Sequence, residues 1–156
     1  MNPFIRVSVA VLATYGAGLV GYLFVDTQAA SWYAMLAKPA LTPPNAVFVV
    51  VWLILYALMA LALYIVWSTD PTTHRTDGWV RFYFVQLLFN AAWTMFFFGF
   101  HAPLIAFVDT LFLGLMLVCL VVGAWEIDRR AVYLLLPYLA WIFFAAYLTL
   151  GIWWLN

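Results

Sequence analysis

Charge is what this sequence has least of. Six Lys and Arg and six Asp and Glu leave only 8% of its 156 residues charged, against 69% hydrophobic. Water-soluble domains carry about 25% charged residues, so water is excluded as the solvent for most of the chain. The formal net charge is zero and the few cations are scattered, which excludes nucleic acid and any charge-driven lipid-surface role. Cys119 is the single cysteine. It cannot form an intramolecular disulfide or a Cys-rich metal site and reads as an inert buried thiol. His74 and His101 are the only histidines. Both fall between apolar runs, so they read as loop residues and not as haem ligands; no metal constellation and no nucleophile–base pair can be assembled.

What is present is long apolar runs. Hydrocarbon offers no partner to backbone N–H and C=O groups, so only helices or closed barrels cross it, and continuous runs without alternation select helices. About 20 residues at a rise of roughly 1.5 Å span the hydrocarbon core. Spans are expected over residues 5–25, 46–67, 79–100, 104–125 and 131–154, giving an all-α membrane protein: one domain over 1–156, built as a five-transmembrane-helix bundle. The first run is longer than the ~7–15-residue apolar region of a signal peptide and reads as a retained span. Arg6, Arg75, Arg81, Arg129 and Arg130 lie at one end of the bundle and Lys38 alone at the other. The positive-inside rule then puts the N-terminus in the cytoplasm.

The connection over residues 26–45 carries Ser31-Trp32-Tyr33 and then Lys38-Pro39-Ala40-Leu41-Thr42-Pro43-Pro44. Prolines fix φ, so a stiff aromatic cap is expected, either a lid or a segment docked on the membrane interface. Residues 70–78 read as a solvated loop, and His101-Ala102-Pro103 as a tight turn. Of the nine tryptophans, Trp32, Trp67, Trp79, Trp125, Trp153 and Trp154 fall at span ends or in the cap, where indoles favour the headgroup level. Trp52, Trp93 and Trp141 fall inside spans, where an indole N–H needs a partner. At ~1.5 Å per residue, Trp52 and Trp93 lie roughly 9–10 Å below the lid end and Trp141 nearer the midplane, with Asp109 at about 7–8 Å and Asn90 at about 15 Å. A carboxyl at such depth turns toward protein or a cavity; Asp109 serves either a structural hydrogen bond or a ligand or proton role.

Helical spacing groups these residues into stripes: Gln86, Asn90, Trp93 and Phe97 on the third span, Phe48, Trp52, Tyr56 and Met59 on the second, Tyr138, Trp141 and Ala145 on the fifth. Apolar walls with a few amide, hydroxyl and indole groups suit a flat, hydrophobic ligand; the same amides also serve as interhelical ties. Small residues at Ala10, Thr14 and Gly18 and at Ala13, Ala17 and Gly21 mark a close-packing face on the first span, directed at its own bundle or at a second subunit. No repeat suggests an inverted-repeat transporter.

Trp32-Tyr33, Leu36, Lys38-Pro39, Pro43-Pro44, Val47-Phe48, Trp52, Leu55-Tyr56 and Met59, then Gln86-Leu87, Phe89-Asn90 and Trp93, then Leu136-Pro137-Tyr138-Leu139, Trp141 and Leu148 occur in order. In this the chain resembles the TspO/MBR family: the tryptophan-rich sensory proteins of bacteria and the mitochondrial translocator proteins, formerly peripheral benzodiazepine receptors. The match runs over about residues 30–156. It implies five helices, often in a homodimer, and a receptor or regulator that binds porphyrins and other tetrapyrroles beneath the first loop, with no covalent cofactor and the lipid bilayer as its surroundings. The implied ligand-binding residues are Tyr33, Trp52, Tyr56, Asn90, Trp93, Asp109, Thr110, Trp141 and Ala145. Light-dependent porphyrin degradation, implied for some members, would fall to Trp52 and Trp141; transport of hydrophobic ligands is a further alternative. A bacterial envelope membrane is the expected location, the mitochondrial outer membrane the alternative. Leu41 departs from an aromatic position of many relatives, and Tyr147 is followed by no Lys or Arg, so the weak sterol pattern fails.

Overall fold

The computed structural model describes residues 2–25 and 31–156; the first part of the expected lid, residues 26–30, lies outside the described residues. Among the described residues five helices are long and apolar enough to cross a membrane: α1 Pro3–Tyr22, α3 Asn45–Thr69, α4 His74–Thr94, α5 Pro103–Ile127 and α6 Arg129–Leu155, with a short α2, Trp32–Met35, in the lid. A π-helical turn, Met95–Gly99, extends α4.

Local chemistry sets most helix ends. Asn2 accepts from the Phe4 N–H at 3.0 Å and Pro3 follows at the first helical position, where its missing N–H is harmless. Pro43 and Pro44 keep the chain extended until α3 begins. Asp128, the one residue between α5 and α6, accepts from the Arg130 N–H at 2.9 Å and the Arg130 guanidinium at 2.7 Å, while Thr69 at the end of α3 donates to it at 3.0 Å. One carboxylate thereby ties two helix ends.

Two expectations need correction here. Residues 70–78 are not a loop: α4 begins at His74 and only Asp70–Thr73 connect, since polarity tells that a segment lies in water, not that it is irregular. Asp77 in the first turn complements the helix dipole there. The first span, in turn, stops as α-helix at Tyr22.

In the bundle α1 packs on α3, α3 on α6, α6 on α5, α5 on α4 and α4 back on α1, which closes a ring. Its centre is filled by Met59, Leu63, Tyr83, Leu117, Leu120, Leu135 and Tyr138, all essentially inaccessible, while Leu12, Leu88, Leu115, Val122 and Phe143 are exposed on the outside, as hydrocarbon permits. The small-residue face of α1 is buried within its own bundle. Ala10 and Thr14 are inaccessible and Thr14 shares a 2.8 Å hydrogen bond with the Tyr83 hydroxyl. A Cβ on Gly18 would enter the Tyr56 ring, and one on Gly21 would lie 2.9 Å from the Thr94 hydroxyl. Tyr15 adds a 3.0 Å bond to the Leu53 carbonyl.

The tryptophans divide differently from the depth argument. Trp125, Trp153 and Trp154 are exposed, but Trp79 is 6% exposed and donates to the Leu120 carbonyl at 2.8 Å, lying over the niche left by Gly123. Trp67 meets Phe84 edge-on. Cys119 is exposed on α5, not buried.

Gly18→Leu should therefore destabilise the bundle by about 1–3 kcal/mol through overpacking, read as thermal unfolding in detergent. Gly16→Leu, with nothing within 4 Å of a Cβ, should leave the transition unchanged or raised. The bonds from Arg130 hold the Asp128 carboxyl down at about 2, against about 3.9 unfolded. Its contribution is thus complete above about pH 4 and is lost as pH falls through 2. Asp128→Ala should lower stability by about 1 kcal/mol at neutral pH, and the deficit should vanish in unfolding titrations near pH 2.

Candidate functional site

The lid is built from residues 31–44 and is fastened along α6. The Ala37 N–H donates to the Asn156 side chain at 3.0 Å and Asn156 donates back to the Ala37 carbonyl at 3.0 Å. Tyr147 donates to the Ala40 carbonyl at 2.9 Å. Pro39 lies so close over Gly151 that a Cβ there would sit 2.8 Å from its ring. On the α4 side, Trp32 stacks on His101 at 4.4 Å, and Trp32 and Tyr33 put their edges to Phe97 at 5.5 and 6.0 Å. The Lys38 ammonium lies 4.7 Å over the Tyr33 ring, and burial pushes the Tyr33 phenol above its ordinary value. Leu41 adopts φ 70°, the left-handed region that β-carbons disfavour, and is fully outward; Thr42 secures the turn by donating to the Pro39 carbonyl at 2.7 Å. The segment is thus fastened to α6 and to the aromatic turn after α4, with Met35 and Leu41 exposed between.

Under the lid the polar groups form one chain across three helices. Tyr56 of α3 donates to the Asn90 Oδ1 of α4 at 2.9 Å. Asn90 Nδ2 donates to the Tyr138 hydroxyl of α6 at 2.8 Å, and Tyr138 donates to Gln86 Oε1 at 3.3 Å. Asn90, Gln86 and Tyr138 are all buried. For these amides the interhelical-tie reading applies, since each bond spans two helices. Thr110 is also satisfied locally, donating to Ala106 in its own helix at 2.8 Å, and the Ala145 carbonyl accepts from Thr149 at 2.7 Å.

The aromatic stripes are not arranged around one common centre; they form two clusters. In the one between α3 and α6 Trp52 lies against Tyr56 at 5.3 Å and edge-on to Tyr138 at 6.0 Å, and Phe48 meets Trp141 at 5.7 Å. In the one directly beneath the lid Trp93 stacks on Phe97 at 5.0 Å, with Tyr33, Phe98, Ala106 and Ile152 around them. Periodicity puts these residues on inward faces but not on the same inward face: the closed ring of helices offers each a different neighbour.

Three of the expected site residues keep a buried polar atom that no described group satisfies: Trp93 Nε1 on α4, Asp109 Oδ2 on α5 and Trp141 Nε1 on α6. The structural hydrogen bond considered for Asp109 is absent at that oxygen among the described residues. Unpaired polar atoms away from water cost about 1–3 kcal/mol each, and most such groups in folded proteins have partners. Beside Trp141, a groove of about 470 Å³ opens between α3 and α6, lined by Val51, Ile54 and Leu58 on one side and Pro137, Ala140 and Trp141 on the other. Sequence reasoning missed Asn156 and the Tyr147 hydroxyl as lid fasteners, because neither belongs to a periodic stripe. It placed Tyr138 on a stripe without showing it as the node of the polar chain.

The sequence model of the TspO/MBR family matches residues 9–155. The chain is 35% identical over 153 residues to the tryptophan-rich protein TspO of Archaeoglobus fulgidus, covering 97% of both chains. It is 35% identical over 135 residues to the translocator protein of Homo sapiens, covering 86% of this chain and 80% of that one, and 31% identical over 140 residues to protein CrtK of Rhodobacter capsulatus, covering 90% and 86%. With a match spanning nearly its whole length and a helical bundle of the expected span number, the chain belongs to the TspO/MBR family.

Proposed function

We propose that this integral membrane protein is a receptor or regulator for porphyrins and related flat hydrophobic molecules, held beneath the lid by Tyr33, Trp52, Tyr56, Asn90, Trp93, Asp109, Thr110, Trp141 and Ala145. The observation that carries the reading is that three residues of this set, through Trp93 Nε1, Asp109 Oδ2 and Trp141 Nε1, are among those keeping an unsatisfied buried polar atom, as Gln86 Nε2 on α4 also does. A tetrapyrrole has large apolar faces for the indole and phenol rings, and its peripheral carboxylates can accept from indole N–H donors such as those of Trp93 and Trp141. Aromatic walls with few polar groups are the usual lining of such sites. The arginines gathered at the end opposite the lid favour a cytoplasmic N-terminus, with the lid on the far side of the membrane.

Protoporphyrin titration followed by tryptophan fluorescence should give saturable quenching, and Trp52→Phe with Trp141→Phe should weaken binding by at least about tenfold, or about 1.4 kcal/mol. Equal affinity in the double variant would remove these indoles from the site. A second reading, photo-oxidative porphyrin degradation, is favoured by Trp52 lying against the Tyr56 and Tyr138 phenols, oxidisable rings close to an indole facing a photo-excited macrocycle. On illumination the double variant should then lose most product formation at porphyrin concentrations that saturate it; an undiminished yield would end that reading.

A further inference from the structure

The fastened lid and the open seam between α3 and α6 bear together on how a ligand reaches the site. Resting on the binding reading above, we propose that the flat tetrapyrrole enters and leaves sideways from the hydrocarbon, through the α3/α6 groove, without the lid lifting.

The groove holds about 470 Å³, within the roughly 300–1,000 Å³ of small-molecule sites. Its walls are carbon: Val51, Ile54 and Leu58 face Pro137 and Ala140. An apolar solute already in the bilayer therefore meets no polar barrier there, whereas a route through the lid would break the Asn156, Tyr147 and Trp32 contacts. The neighbouring α3 residues Val50 and Leu53 are exposed, so the seam faces lipid. Trp141 belongs both to the groove wall and to the proposed site, and its buried Nε1 is unpartnered, which gives the groove continuity with the ligand's destination.

The backbone provides the means of widening. Pro137 lies inside α6 at the groove, and without an N–H it leaves the Tyr133 carbonyl without its helical donor; such positions are where helices bend. Every α6 fastener of the lid, Tyr147, Gly151 and Asn156, lies beyond Pro137. A bend at Pro137 can thus part α6 from α3 at the level of Val51, Ile54 and Ala140, while the lid keeps its seat on Phe97 and His101 and its fasteners beyond Pro137.

The test uses the full chain in lipid nanodiscs, Cys119→Ser background, with protoporphyrin IX followed by stopped-flow absorbance. Pro39→Cys with Gly151→Cys should cross-link on oxidation, since a Cβ at 151 lies 2.8 Å from that of Pro39 and a small relaxation reaches the ~3.5–4.5 Å of a disulfide. With the lid so locked, association should stay within about twofold of the reduced protein, whereas Ala140→Trp, which fills the groove, should slow association and dissociation by about tenfold or more and change affinity by less than about threefold. Should Ala140→Trp fail to fold, Val51→Phe obstructs the facing wall. Association abolished by the lock, or rates unaltered by the groove variants, would overturn the route and leave the groove to an acyl chain or a second copy of the protein. Absence of saturable binding to the unaltered protein would overturn the binding reading itself; failure of the route alone leaves that binding intact.

Discussion

Hydrocarbon cannot hydrogen-bond, and this constraint sorts every polar group in the bundle. A polar atom inside a span finds a partner on a neighbouring helix, bonds its own helix backbone as Thr110 and Thr149 do, or remains unpaired at a cost of about 1–3 kcal/mol. Thr14 and Tyr83, Tyr56, Asn90, Tyr138 and Gln86, and Trp79 with the Leu120 carbonyl follow the first course. These bonds connect α1, α3, α4, α5 and α6, so they fix the azimuth of each helix as well as its depth. Apolar packing alone discriminates azimuth weakly in a membrane, because lipid tails are as apolar as leucine.

Trp93, Asp109 and Trp141 are unpaired, as are Gln86 Nε2 within the polar chain and, elsewhere, atoms of Arg6, Ser68 and Thr76. That the first three lie on three different helices, toward the lid half of the bundle, separates them from an isolated packing defect. Under the binding reading proposed above, a ligand that satisfied these atoms would return the stability forgone in the bundle. The Tyr56–Asn90–Tyr138–Gln86 chain plays the complementary part. Its members bond one another, so they hold the wall in place.

Depth was legible in the sequence and azimuth was not. Twenty-residue apolar runs give the spans because length against bilayer thickness is a one-dimensional quantity. Trp79 shows the limit. Its position near a span end suits the interface, yet Gly123 leaves a niche on α5 that takes the indole inside, and no periodicity within α4 reports what α5 lacks. The same holds for Trp52 and Trp93, at like depth but in separate aromatic clusters. Tyr33 and Thr110 carried no signal of their own beyond family resemblance, and Thr110 bonds its own backbone as threonines in apolar helices commonly do. Hydropathy likewise read residues 74–78 as loop because it senses solvent and not conformation.

The lid end shows how irregular backbone can serve a regular bundle. A π-helical turn widens the last turn of α4 at Met95–Gly99, an irregularity common at functional sites. On an uninterrupted α-helix, the stripe through Trp93 and Phe97 would continue to Phe100. Here Phe97 is 2% exposed while Phe100 is largely outward, and the reregistered turn brings Phe98 beside Tyr33 at 5.6 Å. Phe97 then receives Trp93 face to face and both lid aromatics edge-on, an arrangement that suits the ring quadrupole. The chain leaves this turn through His101 at φ 51°, whose imidazole stacks on Trp32. The lid is thus seated on α4 by rings that only the widened turn presents together, and on α6 by hydrogen bonds to backbone. Loss of one set leaves the other in place.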